Sequence, residues 1–472
     1  MYVRLTQLVP VRLKSASRGC LLCILCCYGH AYASSDPFAT ESGLTDKVAL
    51  YGSNPCTGTK AALDLPAVVH IALCNNPQTR EVWANSQAQA AQVGVSQASY
   101  LPAISASVSG NQNSPGNSQR SASVNLSYLL YDFGARAANL ESARLTLRAV
   151  NATQDSTVQS LFLSAVQAYY QTRSTQAAFE AAVISEQAAL ESFKVADARY
   201  QAGSATPADK LTARTAYSQA TLNRISAQGA MKIAQGNLST LLGRDANQNV
   251  NLVATQQTAT GNVREVEQNV AQLIEQARQQ RPDLQAAEAT LKAAEATAEA
   301  ARAAGKPTIS LTAASNQSNS AGINTHGSSL GVNLSVPLFS GYAPTYRIRA
   351  AEAQIDTRKA QRERLRLQVA LDVWTAYQNL ATATQNLLTT ADLLNSAEQA
   401  ERMASGRYKA GAGIMLDLLN AQTTLAAARQ QRIQSDLNWN ISRAALAQAM
   451  GNLDTDRLQP GTEVNFSHTV KP

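Results

Sequence analysis

Val124-Asn125-Leu126-Ser127, followed by Tyr131 and Gly134, returns 208 residues later as Val332-Asn333-Leu334-Ser335, followed by Phe339 and Gly341. Apolar and polar side chains alternate in both, the period of a strand with one apolar and one polar face. The same alternation stands just upstream. Ile104, Ala106 and Val108 interleave with Ser105, Ser107 and Ser109, and in the second copy Ile309, Leu311 and Ala313 interleave with Ser310 and Thr312. Each stretch is about ten residues, the length a tilted strand needs to cross a bilayer. Residues 110–120 and 314–326, between the members of each pair, are rich in Asn, Ser and Gly and read as exposed loops.

Working outward, the duplication covers most of the chain. Asn76-Pro77 precedes Leu101-Pro102-Ala103-Ile104-Ser105, and Arg281-Pro282 precedes Lys306-Pro307-Thr308-Ile309-Ser310 at the same interval. Arg199-Tyr200-Gln201-Ala202-Gly203, with Asp209, returns as Arg407-Tyr408-Lys409-Ala410-Gly411, with Asp417. Residues 67–98 and 264–304 carry helical spacing. After each strand pair, 135–201 and 343–410, the second interrupted only by Pro344 near its start and Gly406 near its end, are long enough for single helices of about 100 Å. Each ends at a Tyr-x-x-Gly turn, where Gly203 or Gly411 reverses the chain, and returns through 207–242 or 416–450. Apolar positions on these helices are mostly Ala, Leu and Val at heptad-like spacing, a coiled-coil face. Repeat 1 therefore occupies 67–243, with its strand pair at 102–131 and its tip hairpin near 200–209. Repeat 2 occupies 264–451, with strands at 307–339 and tip near 408–417. A linker at 244–263 joins them, an N-terminal segment 34–66 precedes, and a tail 452–472 follows.

The composition agrees. Of 472 residues, 45% are hydrophobic but only 5% aromatic and 15% charged, which points to alanine-rich packed helices rather than an aromatic enzyme core. Residues 1–33 join a basic start (Arg4, Arg12, Lys14, Arg18) to a short apolar run and Ala31-Tyr32-Ala33, the layout of a cleaved secretory signal. Removing it leaves 36 basic against 33 acidic residues, spread without a basic stripe, so nucleic acid is not an expected partner. Cys56 and Cys74 remain. In an oxidising compartment a disulfide between them is the default, and two inert thiols are the alternative.

Catalytic chemistry is missing. His70, His326 and His468 are isolated, with His326 in a polar loop, and none has metal-ligand spacing. No nucleophile elbow, P-loop or dinucleotide fingerprint occurs, so neither an enzyme nor a cofactor is expected.

Four bilayer-length strands cannot close a barrel, and open edges in lipid leave backbone groups unsatisfied, so chains must associate. Two would supply eight strands and three would supply twelve. With these residues in place, the chain resembles the TolC family of outer-membrane channels. Leu130-Tyr131-Asp132-Phe133-Gly134, its partner Leu338-Phe339-Ser340-Gly341, and the Asn-Pro and Leu-Pro marks carry the likeness. The resemblance implies a homotrimer with a twelve-stranded outer-membrane β-barrel and a periplasmic α-barrel of long coiled-coil helices. It further implies an inner-membrane ABC transporter or proton-driven pump and a periplasmic adaptor as partners. It places the gate at the tips. Asp417 corresponds to the first aspartate of the constriction, Asn420 stands at the second, Tyr408 corresponds to the latch tyrosine, Asp209 to the acid of the first hairpin, and Gly413 occupies the latch-arginine position.

Such a duct serves either type I secretion of a large protein, such as an adenylate cyclase–haemolysin toxin, or small-molecule efflux. The unlipidated start and the Cys56…Cys74 segment favour secretion. A periplasmic adaptor or a structural coiled-coil protein is the rival of another class. The first would need β domains flanking one hairpin, and the second would lack the alternating strands.

Overall fold

The computed structural model describes residues 36–44, 62–113, 117–253, 269–320 and 322–453. The expected signal 1–33, Cys56, His468, residues 254–263 of the linker and 454–472 of the tail lie outside the described residues.

Each repeat opens with two helices where the hydrophobic period suggests one. Helix α1 spans Leu65–Asn75 and α2 spans Pro77–Ala98. Pro77 has no N–H to donate and its ring disfavours helical backbone at Asn76, which is extended with ψ 130°. Asn76 then caps the new helix, its side chain accepting from the Gln78 N–H at 2.9 Å. Repeat 2 breaks in the same way. Arg281-Pro282 separates α5 (Val270–Gln280) from α6 (Pro282–Ala303). The continuous helices expected over 67–98 and 264–304 are thus corrected by one proline each.

Strands β1 (Ala103–Asn113), β2 (Asn117–Tyr131), β3 (Thr308–Ser320) and β4 (Ile323–Ser335) form one antiparallel sheet in the order β1-β2-β3-β4. They are longer than expected, because the polar stretches 110–120 and 314–326 are mostly strand rather than loop. Hydroxyl and amide ladders hold these ends together. Ser109 Oγ meets Ser121 Oγ at 2.7 Å, Ser318 Oγ meets Thr325 Oγ1 at 2.7 Å, and Asn319 donates to Asn324 at 2.6 Å. His326 therefore lies on β4, opposite Gln317.

Register sorts the faces. Ile104, Leu126, Ala313 and Leu330 stand opposite one another across all four strands, as do Ser105, Asn125, Ala314 and Ser329 one residue on. The first row and its neighbours make an apolar face. The second begins a face of Ser, Asn and Thr. Within the chain, β1 and β4 each have a free edge.

From the sheet, α3 (Ala135–Gln201) and α7 (Ala343–Lys409) run as single helices of 67 residues each, about 100 Å. They return as α4 (Pro207–Leu241) and α8 (Met415–Ala449), of 35 residues each. No described helix is long and apolar enough to cross a membrane.

The repeats meet at a waist, in a buried cluster that Ala444 of α8 shares with repeat 1. There α1 lays Val68, Val69 and Leu73 against Leu161, Phe162 and Val166 of α3 and Leu238 of α4. Leu63 pairs with the strand-like segment at 251–253, donating to the Asn251 carbonyl at 2.8 Å and accepting from Val253 at 3.0 Å. Cys74, at 2% exposure, is disulfide-bonded.

Candidate functional site

The two tips are built alike. Gly203 and Gly411 end the long helices with φ +70° and +77°. Gly203 donates to the Tyr200 carbonyl and Ser204 to that of Arg199; Gly411 donates to Tyr408 and Ala412 to Arg407. This is one helix-terminating turn used twice, and its left-handed residue is glycine because a β-carbon disfavours that conformation.

Beyond the turns the copies diverge. Thr206 caps α4. Its hydroxyl accepts from the Asp209 N–H at 3.2 Å, while the Asp209 carboxylate accepts from the Thr206 N–H at 3.1 Å and its hydroxyl at 2.8 Å. The position before α8 is Ile414, which has no side-chain acceptor. Asp417, in the first turn of α8 where Asp209 stands in α4, is exposed, and its carboxylate makes no hydrogen bond or ion pair to any described residue.

Asn420 lies three residues on, also exposed. The two begin a stripe that continues through Thr424, Ala427, Gln431, Gln434 and Asn438, all exposed and spaced alternately by four and three. The opposite side of α8 is packed. Met415, Leu418 and Leu419 enclose Tyr408 together with Ala196 and Ala213.

Tyr408 is 4% exposed, so it lies across α8 from Asp417 rather than beside it. Its ring supports Arg199, whose guanidinium sits 4.5 Å from the ring centroid and donates to the Tyr408 and Lys409 carbonyls at 2.7 and 3.3 Å. Arg199 thus closes the end of α7 from the other hairpin. Gly413 lies so close to the end of α7 that a β-carbon would stand 3.1 Å from the Tyr408 nitrogen, so a side chain there needs the turn to give by a few tenths of an ångström.

Three further cross-links were not singled out in the sequence. Lys210 pairs with Asp197 at 2.6 Å, Arg224 with Glu186 at 2.8 Å, and Ser192 bonds Gln422 across α3 and α8. Arg199 itself stands inside the repeated Arg-Tyr-x-Ala-Gly motif, a signal readable as a turn but not as a bridge. Nearer the waist, burial pushes the Asp436 carboxyl up, opposed by Arg432 and Arg173, and burial lowers the affinity of Arg443 for its proton. Among the described residues no group of three or more His, Cys, Asp or Glu is placed to hold a metal.

A duplicated bundle of long hairpins, joined to one four-stranded sheet with two free edges, has close counterparts. The family model described as outer membrane efflux protein matches residues 68–244 and 273–452, one segment per repeat. The chain belongs to the outer membrane efflux protein family. Its members are channels, which accords with the missing catalytic chemistry. Protein CyaE of Bordetella pertussis is 31% identical over 440 residues, covering 90% of this chain and 92% of CyaE. The probable efflux pump outer membrane protein TtgC of Pseudomonas putida is 29% identical over 406 residues, 82% of each chain. The solved structure of the outer-membrane channel OprN is alike in fold, with a TM-score of 0.73 at 21% identity over 86% of this chain and 96% of OprN.

Proposed function

We propose that three copies of this outer membrane efflux protein close a twelve-stranded barrel in the outer membrane and a helical tunnel in the periplasm, forming the exit duct of a tripartite export system. The observation that carries this reading is the sheet, with its row-by-row apolar face and its unpaired β1 and β4 edges. In lipid those edges must be satisfied, and pairing β4 of one chain with β1 of the next does so. The apolar face then meets lipid, and the Ser/Asn/Thr face lines water. An inner-membrane ABC transporter or proton-driven pump and a periplasmic adaptor would engage the tips.

The gate is assigned to the first turn of α8. In a trimer Asp417 occurs three times around the axis with Asn420 beside it, and like charges at a narrow site concentrate cations. Tyr408 and Asp209 hold the hairpins in shape, through the Arg199 contact and the α4 cap. Asp417→Ala tests the assignment. Cation selectivity and cation block in planar bilayers should fall, and unchanged values would remove Asp417 from the gate.

For cargo, the preferred reading is type I secretion of a large protein such as an adenylate cyclase–haemolysin toxin, supported by the likeness to CyaE along nearly its full length. Small-molecule efflux is the second reading, favoured by the likeness to TtgC. Secreted proteins compared with and without the gene decide between them. Loss of one large protein supports secretion, and an unchanged supernatant with raised drug sensitivity supports efflux.

A further inference from the structure

Where strands become helices, both repeats adopt a backbone that aromatic residues seldom take. Phe133 has φ +54° and precedes Gly134 at +93°; Tyr342 has φ +62° and follows Gly341 at +63°. The β2–β3 register slips between Leu129 and Tyr131, so that Tyr131 stands opposite Ile309 and joins the apolar face. Tyr131 and Phe133 meet edge to face at 4.8 Å, and Phe339 and Tyr342 at 5.7 Å. All four rings are exposed, as is Tyr346. A band of exposed rings ending an apolar strand face has the character of a membrane-interface belt.

On the helical side of this band stand Lys306, Arg347 and Arg349, all exposed. The Lys306 ammonium lies 5.9 Å from the Phe133 ring and the Arg349 guanidinium 5.6 Å from that of Tyr346. Gly305, next to Lys306, faces Pro344 at the start of α7, where a β-carbon on Gly305 would stand 3.6 Å from that of Pro344. Nearby Arg136 is paired with Asp132, and Arg302 with Glu299 and Glu352. Lys306, Arg347 and Arg349 have no carboxylate partner among the described residues. Arg349 lies six residues into α7, about 9 Å along its axis, within head-group depth for a long side chain.

We propose that Lys306, Arg347 and Arg349 bind the phosphate head groups of anionic phospholipid in the periplasmic leaflet, while the aromatic band takes the upper acyl chains. The inference rests on the outer-membrane placement above, which puts the helical end of the sheet on the periplasmic side.

The wild-type oligomer is reconstituted with mixed phosphatidylglycerol and phosphatidylcholine, and the lipid it retains is counted by native mass spectrometry. Phosphatidylglycerol should be enriched. The enrichment should fall about tenfold or more in K306Q/R347Q/R349Q, and in the wild type as salt rises. Equal retention of both lipids by the wild type overturns the site, as does undiminished enrichment in the triple variant. If that variant fails to assemble, the wild-type salt series decides alone, and salt-insensitive enrichment overturns the site. Bilayer conductance of the same preparation separates the two layers of the argument. A wild type that never inserts overturns the membrane placement and the site with it, while an inserted channel without lipid preference overturns the head-group site only.

Discussion

At the residue scale, one substitution between the repeats decides which acid remains available. Thr206 engages Asp209 in a reciprocal cap, whereas Ile414 leaves Asp417 unengaged. Ile414→Thr should rebuild the cap in the second hairpin, stabilising α8 by about 0.5–2 kcal/mol. It should also draw Asp417 out of the pore, so that cation selectivity falls while the thermal midpoint rises. A higher midpoint with selectivity intact would separate capping from gating and count against Asp417 as the selective group. The two acids were legible in the sequence as a matched pair. Their different fates follow from the residue three places before each, whose meaning depends on where the helix starts. Arg199 was legible only as part of a turn, because its partner Tyr408 lies 209 residues away in the other hairpin.

At the element scale, the alternating cores of the strands were evident from their period, but their polar ends were not. Gly110-Asn111-Gln112 and Ser315-Asn316-Gln317-Ser318 have the composition of loops, and it is the cross-strand partners that make them strands. The apolar row carries its own test. Leu126→Arg places a charge among Ile104, Ala313 and Leu330 and should cost about 2–4 kcal/mol in the bilayer, seen as loss of the detergent-stable oligomer. Ser123→Arg, on the polar face, should assemble. The helix breaks show the same interplay of local and distant causes. Each break places backbone against the glycine that ends the following hairpin. A β-carbon on Gly243 would stand 2.6 Å from the Asn75 carbonyl oxygen, and one on Gly451 would stand 2.9 Å from the Arg281 α-carbon. Gly243 also has φ +71°, so Gly243→Ala should destabilise the waist by about 1–3 kcal/mol, read as a lower thermal midpoint.

At the scale of the whole molecule, stability should respond to pH through the seam between α3 and α8. Burial raises the Asp436 carboxyl above its ordinary value of 3.8, with Arg432 and Arg173 opposing the shift. A raised acid favours the protonated folded state, so its contribution to stability weakens as pH climbs through the folded pKa. Asp436→Asn should therefore melt higher than the wild type at neutral pH, and the gap should close as pH falls toward 3.8. A gap that widens on acidification would mean the carboxylate is held by its arginines instead. The duplication, the long helices and the need for several chains could all be inferred from the sequence. The Arg199 bridge and the aromatic corners could not, since they depend on where the hairpins come to rest.

The pairing of β2 with β3 bears on how such a channel comes together. That contact joins repeat 1 to repeat 2 inside one chain, and the proposed β4-to-β1 contact joins repeat 2 to repeat 1 of the next. In a trimer, half of the six seams close as unimolecular events, at an effective concentration set by the tether. Of the other three, two must wait for collisions, and the last closes the ring within the assembled trimer. Insertion should therefore slow with dilution even though each chain folds its own sheet at a constant rate, and a chain awaiting partners carries two open edges as its aggregation hazard.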